Sequence, residues 1–201
     1  WFTSVGGAVY FAADDGSSGD ELWRTDGTLV GTVQVTDLAA GAASATPSNL
    51  TNVWGTLVFT ADDGVHGREL WRSDGTLANT AMILDIAPDS AGSLSSATNF
   101  YAVDESTDFY FFADDGASGT ELWFSDTTTA GTVLVLDCDP GAEGGLAYSS
   151  GAVVVGSNLL FIANDGIHGY ELWKSDGTAT GTTMVTDIFP ESRLKKMPVF
   201  W

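Results

Sequence analysis

The triplet Glu-Leu-Trp occurs four times in this 201-residue chain, and it ends at Trp23, Trp71, Trp123 and Trp173. The spacings between successive tryptophans are 48, 52 and 50 residues. A period of about 50 residues is typical of repeat architectures, in which one supersecondary unit recurs along the chain. The sequence therefore predicts four copies of one local structure.

Each copy contains four short runs of β-forming residues separated by Gly and Asp turns. In the second copy these runs cover residues 48–54, 57–61, 69–73 and 81–86. Four strands in about 50 residues predict an antiparallel meander. Four meanders make an all-β fold and predict a β-propeller, either four-bladed or part of a larger one. A β-solenoid-like stack of meanders would show the same period and stays the alternative.

The repeat pattern also predicts the boundaries within one compact domain. The four repeats are expected at residues 1–46, 47–95, 96–147 and 148–190, followed by a C-terminal extension at 191–201. That extension ends in a run that resembles the first strand of a repeat. Four repeats do not need this additional strand, so it could pair with a neighbouring subunit. Its residues are Met197, Pro198, Val199, Phe200 and Trp201.

Charge excludes some classes of partner. Seven Lys and Arg stand against 27 Asp and Glu, which gives a formal net charge of −20. Such a chain repels nucleic-acid backbones and anionic membrane surfaces. No apolar run of about 18 residues is present to span a bilayer. The sequence thus predicts neither nucleic-acid binding nor membrane insertion.

The repeated tryptophans and aspartates are interpreted as structural. Strand alternation places the Leu and Trp of each triplet on opposite faces, and a large ring packed between repeats explains why all four copies carry it. Exposed tryptophans would instead favour aromatic platforms for sugars. In each Asp-Gly-Thr segment the carboxylate is expected to accept an amide hydrogen from two residues on while Gly takes a positive φ. These aspartates are Asp26, Asp74, Asp126 and Asp176.

The Asp-Asp-Gly loops, together with the Glu of the triplet, are the candidate metal ligands. Closely spaced carboxylates and carbonyls in a Gly-bent loop are what Ca²⁺ favours, although the spacing differs from that of an EF-hand. The structural alternative is that these acids only shape the loops. The candidates are Asp14, Asp15, Glu21, Asp62, Asp63, Glu69, Asp114, Asp115, Glu121, Asp165 and Glu171.

The remaining polar residues give no catalytic constellation. His66 and His168 occupy equivalent Gly-x-His-Gly positions without a zinc spacing, and no pair of nucleophile and base stands out. We therefore expect no enzyme. Asn49 begins an Asn-Leu-Thr sequon, which is a glycosylation site if the protein is exported by a glycosylating cell. Cys138 is interpreted as a small buried apolar residue.

The block at residues 61–80, repeated at 163–182, reads Ala-Asp/Asn-Asp-Gly-x-x-Gly-x-Glu-Leu-Trp-x-Ser-Asp-Gly-Thr. It resembles the repeat family named for its ELWxxDGT consensus, over nearly the whole chain. Thr127 and Asn79 depart from the consensus, since each replaces a glycine of the other copies. The resemblance implies a propeller-like protein that is secreted or surface-associated, and it carries over no catalytic residue.

Two functions are compatible with this pattern. The leading prediction is a non-enzymatic extracellular structural or adhesion protein that associates with copies of itself, as a filament or surface-layer subunit joined by strand donation. It depends on repetition without catalytic chemistry and on the spare strand. The alternative is a propeller module, stabilised by Ca²⁺, that binds glycans or another ligand.

Overall fold

The computed structural model describes residues 2–88, 92–95, 98–140, 144–146, 151–188 and 190. Within these ranges the chain forms four separate antiparallel sheets of four strands each, so the all-β prediction is confirmed. The spare strand predicted at 197–201 lies outside the described residues. In the described part of the chain, no helix is long and apolar enough to cross a membrane.

The strands follow one another along the chain within each sheet. Sheet 1 contains β1 (Thr3–Val5), β2 (Ala8–Asp14), β3 (Asp20–Thr25) and β4 (Val33–Gln34). Sheet 2 contains β5 (Ser48–Val53), β6 (Thr56–Asp62), β7 (Arg68–Ser73) and β8 (Ala81–Leu84). Sheet 3 contains β9 (Tyr101–Ala102), β10 (Phe109–Asp114), β11 (Thr120–Ser125) and β12 (Val133–Leu136). Sheet 4 contains β13 (Val153–Val155), β14 (Asn158–Asn164), β15 (Tyr170–Ser175) and β16 (Thr183–Thr186).

The two central strands of every sheet pair in the same register. The repeated Phe lies directly opposite the repeated Trp, and the Ala two residues later lies opposite the Glu of the triplet. Since side chains alternate along a strand, Phe, Ala, Glu and Trp share one face, and the Leu of the triplet lies on the other. We call these the Trp face and the Leu face of a sheet.

Successive sheets pack the Leu face of one against the Trp face of the next. Leu22 of sheet 1 belongs to one apolar cluster with Phe59 and Trp71 of sheet 2. Leu70 and Trp123 belong to a second cluster, between sheets 2 and 3. A third cluster joins sheets 3 and 4 in the same way. Among the described residues no cluster joins sheet 4 to sheet 1, so these four sheets form an open series.

The Asp-Gly-Thr turn of sheet 2 lies against Tyr10, in the second strand of sheet 1. A β-carbon added to Gly75 would lie 2.2 Å from the Tyr10 hydroxyl oxygen, so only glycine fits there. Sheet 3 carries Thr127 at the equivalent position, buried and with a φ of 72°. The residue of sheet 2 that corresponds to Tyr10 is Val58, which has a smaller side chain. The departure at Thr127 is thus matched by a change in the preceding sheet.

The second departure from the consensus is compensated within its own loop. In the other copies the residue eight after Trp is a glycine, and a β-carbon on Gly31 would lie 1.9 Å from a carboxylate oxygen of Asp26. Asn79 stands there in sheet 2, within a short 3-10 turn (Leu77–Asn79). Its side-chain amide donates to the Asp74 carboxylate at 2.6 Å. A hydrogen bond therefore replaces the close approach that glycine permits elsewhere.

Candidate functional site

The Asp-Asp-Gly loops connect the second and third strands of each sheet, and their carboxylates hold the loop backbone. Asp14 accepts the Gly16 amide at 2.7 Å, and Asp15 accepts the Ser17 and Ser18 amides at 2.8 and 2.9 Å. Hydrogen bonds from Ser17 and Ser18 lower the pKa of Asp15. Equivalent bonds form in the other sheets, where the acceptors are Asp62, Asp63, Asp114, Asp115, Asn164 and Asp165.

The glutamate of each triplet is enclosed. Glu21, Glu69 and Glu121 have no exposed surface, and Glu171 is 3% exposed. Each accepts backbone amide hydrogens from the segment that leads out of its sheet. Glu69, for example, accepts the Ile86 amide at 3.2 Å and the Ser93 amide at 2.9 Å. Burial raises the pKa of Glu21, Glu69 and Glu121. These carboxylates therefore fasten the connection between consecutive sheets.

The loop aspartates thus hold the backbone of their loops, whereas the triplet glutamates hold the segments that lead out of the sheets. Among the described residues, no group of three or more His, Cys, Asp or Glu is arranged to hold a metal ion. Buried carboxylate oxygens without a hydrogen-bond partner occur on Asp85, Asp137 and Asp187, which are equivalent residues of sheets 2, 3 and 4. Calcium binding stays a prediction.

The Asp-Gly-Thr turns have the geometry of an aspartate-stabilised turn. Asp26 accepts both the amide and the hydroxyl of Thr28, at 2.9 and 2.7 Å, and Gly27 has a φ of 90°. The hydroxyl bond is the larger cause of the lowered pKa of Asp26. The same two bonds form at Asp74, Asp126 and Asp176. These aspartates have a local structural use in every copy.

The triplet tryptophans offer no exposed platform between sheets. Trp71, Trp123 and Trp173 are 7–9% exposed and lie in the inter-sheet clusters. Trp23 is half-buried, because no sheet precedes sheet 1 among the described residues.

Both histidines contact the loop aspartate three residues before them. The Nδ1 atom of His66 lies 2.7 Å from Asp63, and that of His168 lies 2.6 Å from Asp165. These contacts raise the pKa of each imidazole. Burial opposes the shift at Asp165, but hydrogen bonds from His168 lower the pKa of that carboxyl to about 2. Each pair is a local ion pair on a loop.

Asn49 lies inside strand β5 with a φ of 57°. Its side-chain nitrogen, the atom that would carry a glycan, donates to the Thr60 hydroxyl at 3.3 Å and to the Ser95 carbonyl at 3.2 Å. Glycosylation would have to displace both bonds. Asn49 therefore stays a predicted glycosylation site, although its side-chain nitrogen is already hydrogen-bonded.

One surface feature breaks the fourfold pattern. Trp54 stands in the turn between β5 and β6, where the equivalent residues of sheets 1 and 4 are Gly6 and Gly156. All three have positive φ, at 46°, 59° and 64°. A bulky residue with positive φ is a genuine backbone outlier. Trp54 is nevertheless 62% exposed, so packing against the described residues does not explain why a tryptophan stands there.

Trp54 lines an open cleft of about 700 Å³ between the first turns of sheets 2 and 3. Asp104 and Glu105, from the turn between β9 and β10, line its other side, and Ala102 and Val103 also contribute. Asn52 fixes the Trp54 turn, since its side chain accepts the Gly55 amide at 2.8 Å and donates to a carbonyl of sheet 1 at 2.9 Å. The cleft thus combines an exposed indole, two exposed carboxylates and a supported turn.

Sequence reasoning placed Trp54 at the end of a strand and missed it as a site residue. The signal was present in the aligned copies, because a tryptophan replaces the glycine found in two of the other three turns. Asp104 and Glu105 belong to acids outside the repeat pattern, and only the packing of sheets 2 and 3 brings them beside Trp54.

Comparison with known proteins supports the fold alone. Neither a family model nor a curated protein sequence matches the chain. A crystal structure of puromycin hydrolase matches 89% of this chain with a TM-score of 0.54 and 16% identity. The acylaminoacyl peptidase of Pyrococcus horikoshii matches 98% of it with a TM-score of 0.54 and 13% identity. The chain spans 27–28% of the length of these two proteins.

A third similar structure is an α-L-arabinofuranosidase from Podospora anserina, with a TM-score of 0.38, 10% identity and coverage of 92% of this chain and 66% of that one. The prediction of a self-associating structural or adhesion protein is wrong, because the solved structures that this chain resembles with a TM-score above 0.5 are a puromycin hydrolase and an acylaminoacyl peptidase. The repetition that suggested such a protein is explained by sheet building, which serves many functions.

Proposed function

We propose that this chain is a propeller-type binding module that holds a neutral glycan in the cleft between sheets 2 and 3. The observation that supports it is Trp54, whose ring is exposed from a backbone conformation that glycine adopts in sheets 1 and 4. Sparsely populated backbone conformations concentrate at functional sites. An extracellular or cell-surface location, implied by the family resemblance, belongs to the same proposal.

The chemistry of the cleft fits a sugar ring. An indole offers a flat apolar surface on which the C–H face of a pyranose stacks. Asp104 and Glu105 present acceptor oxygens to sugar hydroxyls at the cleft wall. The net charge of −20 disfavours anionic ligands, which leaves neutral glycans as the better match.

The propeller part of the proposal is supported by how the sheets pack. Each sheet is a four-stranded meander, and its Leu face covers the Trp face of the next. Blades of a propeller have this strand count and stack around an axis. Binding without catalysis is supported by the turn aspartates and the triplet glutamates, which are engaged in turns and in the connections that lead out of the sheets.

The test compares the natural chain with a Trp54→Gly variant. Neutral oligosaccharides of several linkages are titrated by calorimetry, with tryptophan emission as a second signal. We expect millimolar to micromolar binding by the natural chain, about −4 to −8 kcal/mol, and its loss in the variant. Relief of the positive φ is worth about 1–2 kcal/mol, and the entropy cost of glycine is about 0.5–1 kcal/mol.

The variant should consequently be as stable as the natural chain or up to about 1.5 kcal/mol more stable. Loss of binding with retained stability would separate a ligand contact from a folding defect. Trp54→Phe is the matched control, since it keeps a smaller aromatic surface and should retain weakened binding. Equal binding by the natural chain and Trp54→Gly, or silence of the natural chain across the panel, would reject the proposal.

A further inference from the structure

The Leu faces of the first three sheets are covered at equivalent positions. Twelve residues after the triplet tryptophan stand Val35, Ile83 and Val135, and they are 6%, 2% and 4% exposed. The residues that end the first strand in sheets 1 and 2, Val5 and Val53, are 5% and 0% exposed. In each case the cover is the Trp face of the following sheet.

The Leu face of sheet 4 has the same apolar residues, but no sheet covers it among the described residues. Val185 is 48% exposed, Val155 is 57% exposed and Ile188 is 64% exposed. The residues that correspond to Ile188 in sheets 2 and 3, Ile86 and Cys138, are 5% and 6% exposed. An apolar face of interior composition is thus left at the surface, which marks an interaction site.

The chain also leaves sheet 4 along the path that it takes between sheets. The Ile188 amide donates to Glu171 at 2.9 Å, as the Ile86 amide does to Glu69 at 3.2 Å. The Cys138 amide does the same to Glu121 at 3.0 Å. In sheets 2 and 3 this connection precedes a docked sheet. The edge of sheet 4 is therefore already in the conformation that receives one.

We propose that the Leu face of sheet 4 is a docking surface for the Trp face of a further blade of the same repeat. The occupant is a four-stranded meander that presents Phe, Ala and Trp in the register of Phe161, Ala163 and Trp173, which are 1%, 0% and 9% exposed where they meet sheet 3. The three interfaces between sheets 1 to 4 all pack a Leu face against a Trp face, and continuity with them identifies this occupant. The inference is independent of the glycan site.

The test uses the full chain and the full chain extended after Trp201 by a second copy of residues 47–95. A Val185→Cys substitution in both supplies a thiol on the Leu face, while the native Cys138 is buried and reacts slowly. We expect alkylation of the introduced thiol to be at least tenfold slower in the extended chain. A single blade cannot bury its apolar face alone, so the circular dichroism of the added blade should report folding only on docking.

Two controls define the outcome. A Val65→Cys thiol lies on an exposed loop away from this face and should react equally in both chains. Replacing the Trp of the added blade with Ser should restore fast alkylation at position 185. Equal reactivity at 185 in both chains, or an added blade that stays unfolded, would overturn the proposal. Protection in the unextended chain that grows with its concentration would identify a second copy as the occupant and overturn it equally.

Discussion

Replacing Gly75 with Thr tests how tightly consecutive sheets are fitted together. Gly75 has a φ of 89°, and its missing β-carbon would lie 2.2 Å from the Tyr10 hydroxyl oxygen and 3.3 Å from Cδ of Arg24. Tyr10 is 3% exposed, so its ring has little room to move. The substitution therefore introduces both backbone strain and a collision with the preceding sheet.

The two costs can be separated within this chain. A side chain at positive φ costs about 1–2 kcal/mol, and overpacking a filled interior costs about 1–3 kcal/mol. We expect Gly75→Thr to lower the free energy of unfolding by about 2–5 kcal/mol. Gly27 is the equivalent glycine of sheet 1, with a φ of 90° and no atom within 4 Å of an added β-carbon. Gly27→Thr should cost only the strain, about 1–2 kcal/mol.

Sheet 3 shows how the collision is avoided, since Thr127 faces a sheet that carries Val58 where sheet 1 carries Tyr10. Adding Tyr10→Val to Gly75→Thr should therefore recover stability, with a favourable coupling of about 0.5–3 kcal/mol between the two positions. Urea unfolding followed by circular dichroism measures all four proteins of the cycle. Equal costs for the two Gly→Thr variants, or a coupling of zero, would refute this account of the interface.

Three further predictions concern the repeat residues. Glu69→Gln should lower the free energy of unfolding in urea by about 1–3 kcal/mol, because the glutamine NH₂ group would face backbone N–H groups that donate to the carboxylate in the natural chain. An unchanged urea midpoint would contradict this. NMR titration should place the pKa of His66 above 6.5, and Asp63→Asn should lower it. Stability from that pair is present below pH 6.5 while Asp63 is ionised; it is lost as pH rises through the folded pKa of His66, and again as pH falls through the lowered pKa of Asp63. Asn79→Ala should cost about 0.5–1.5 kcal/mol in thermal unfolding through its lost bond to Asp74, whereas Asn79→Gly restores the residue of the other copies and should cost less.

Much of the local structure could be predicted because the copies agree. The strand runs, the Asp-Gly-Thr turns and the opposite faces of Leu and Trp follow from alternation and from glycine's access to positive φ. The use of the triplet glutamate could not be predicted in this way. The sequence makes Glu69 a candidate metal ligand. Its hydrogen-bond donors lie 17 or more residues further along the chain, and no local sequence pattern predicts contacts at that separation.

The sequence by itself determined the repeat, the strand count and the turn chemistry, because each depends on residues within one copy. Tertiary structure decided which residues are available to a ligand or partner, because exposure depends on what the neighbouring sheet covers. Trp71 is buried by sheet 1, whereas Trp54 remains at the surface beside Asp104. Val185 occupies the position in sheet 4 that Val135 occupies in sheet 3, but among the described residues no sheet covers it.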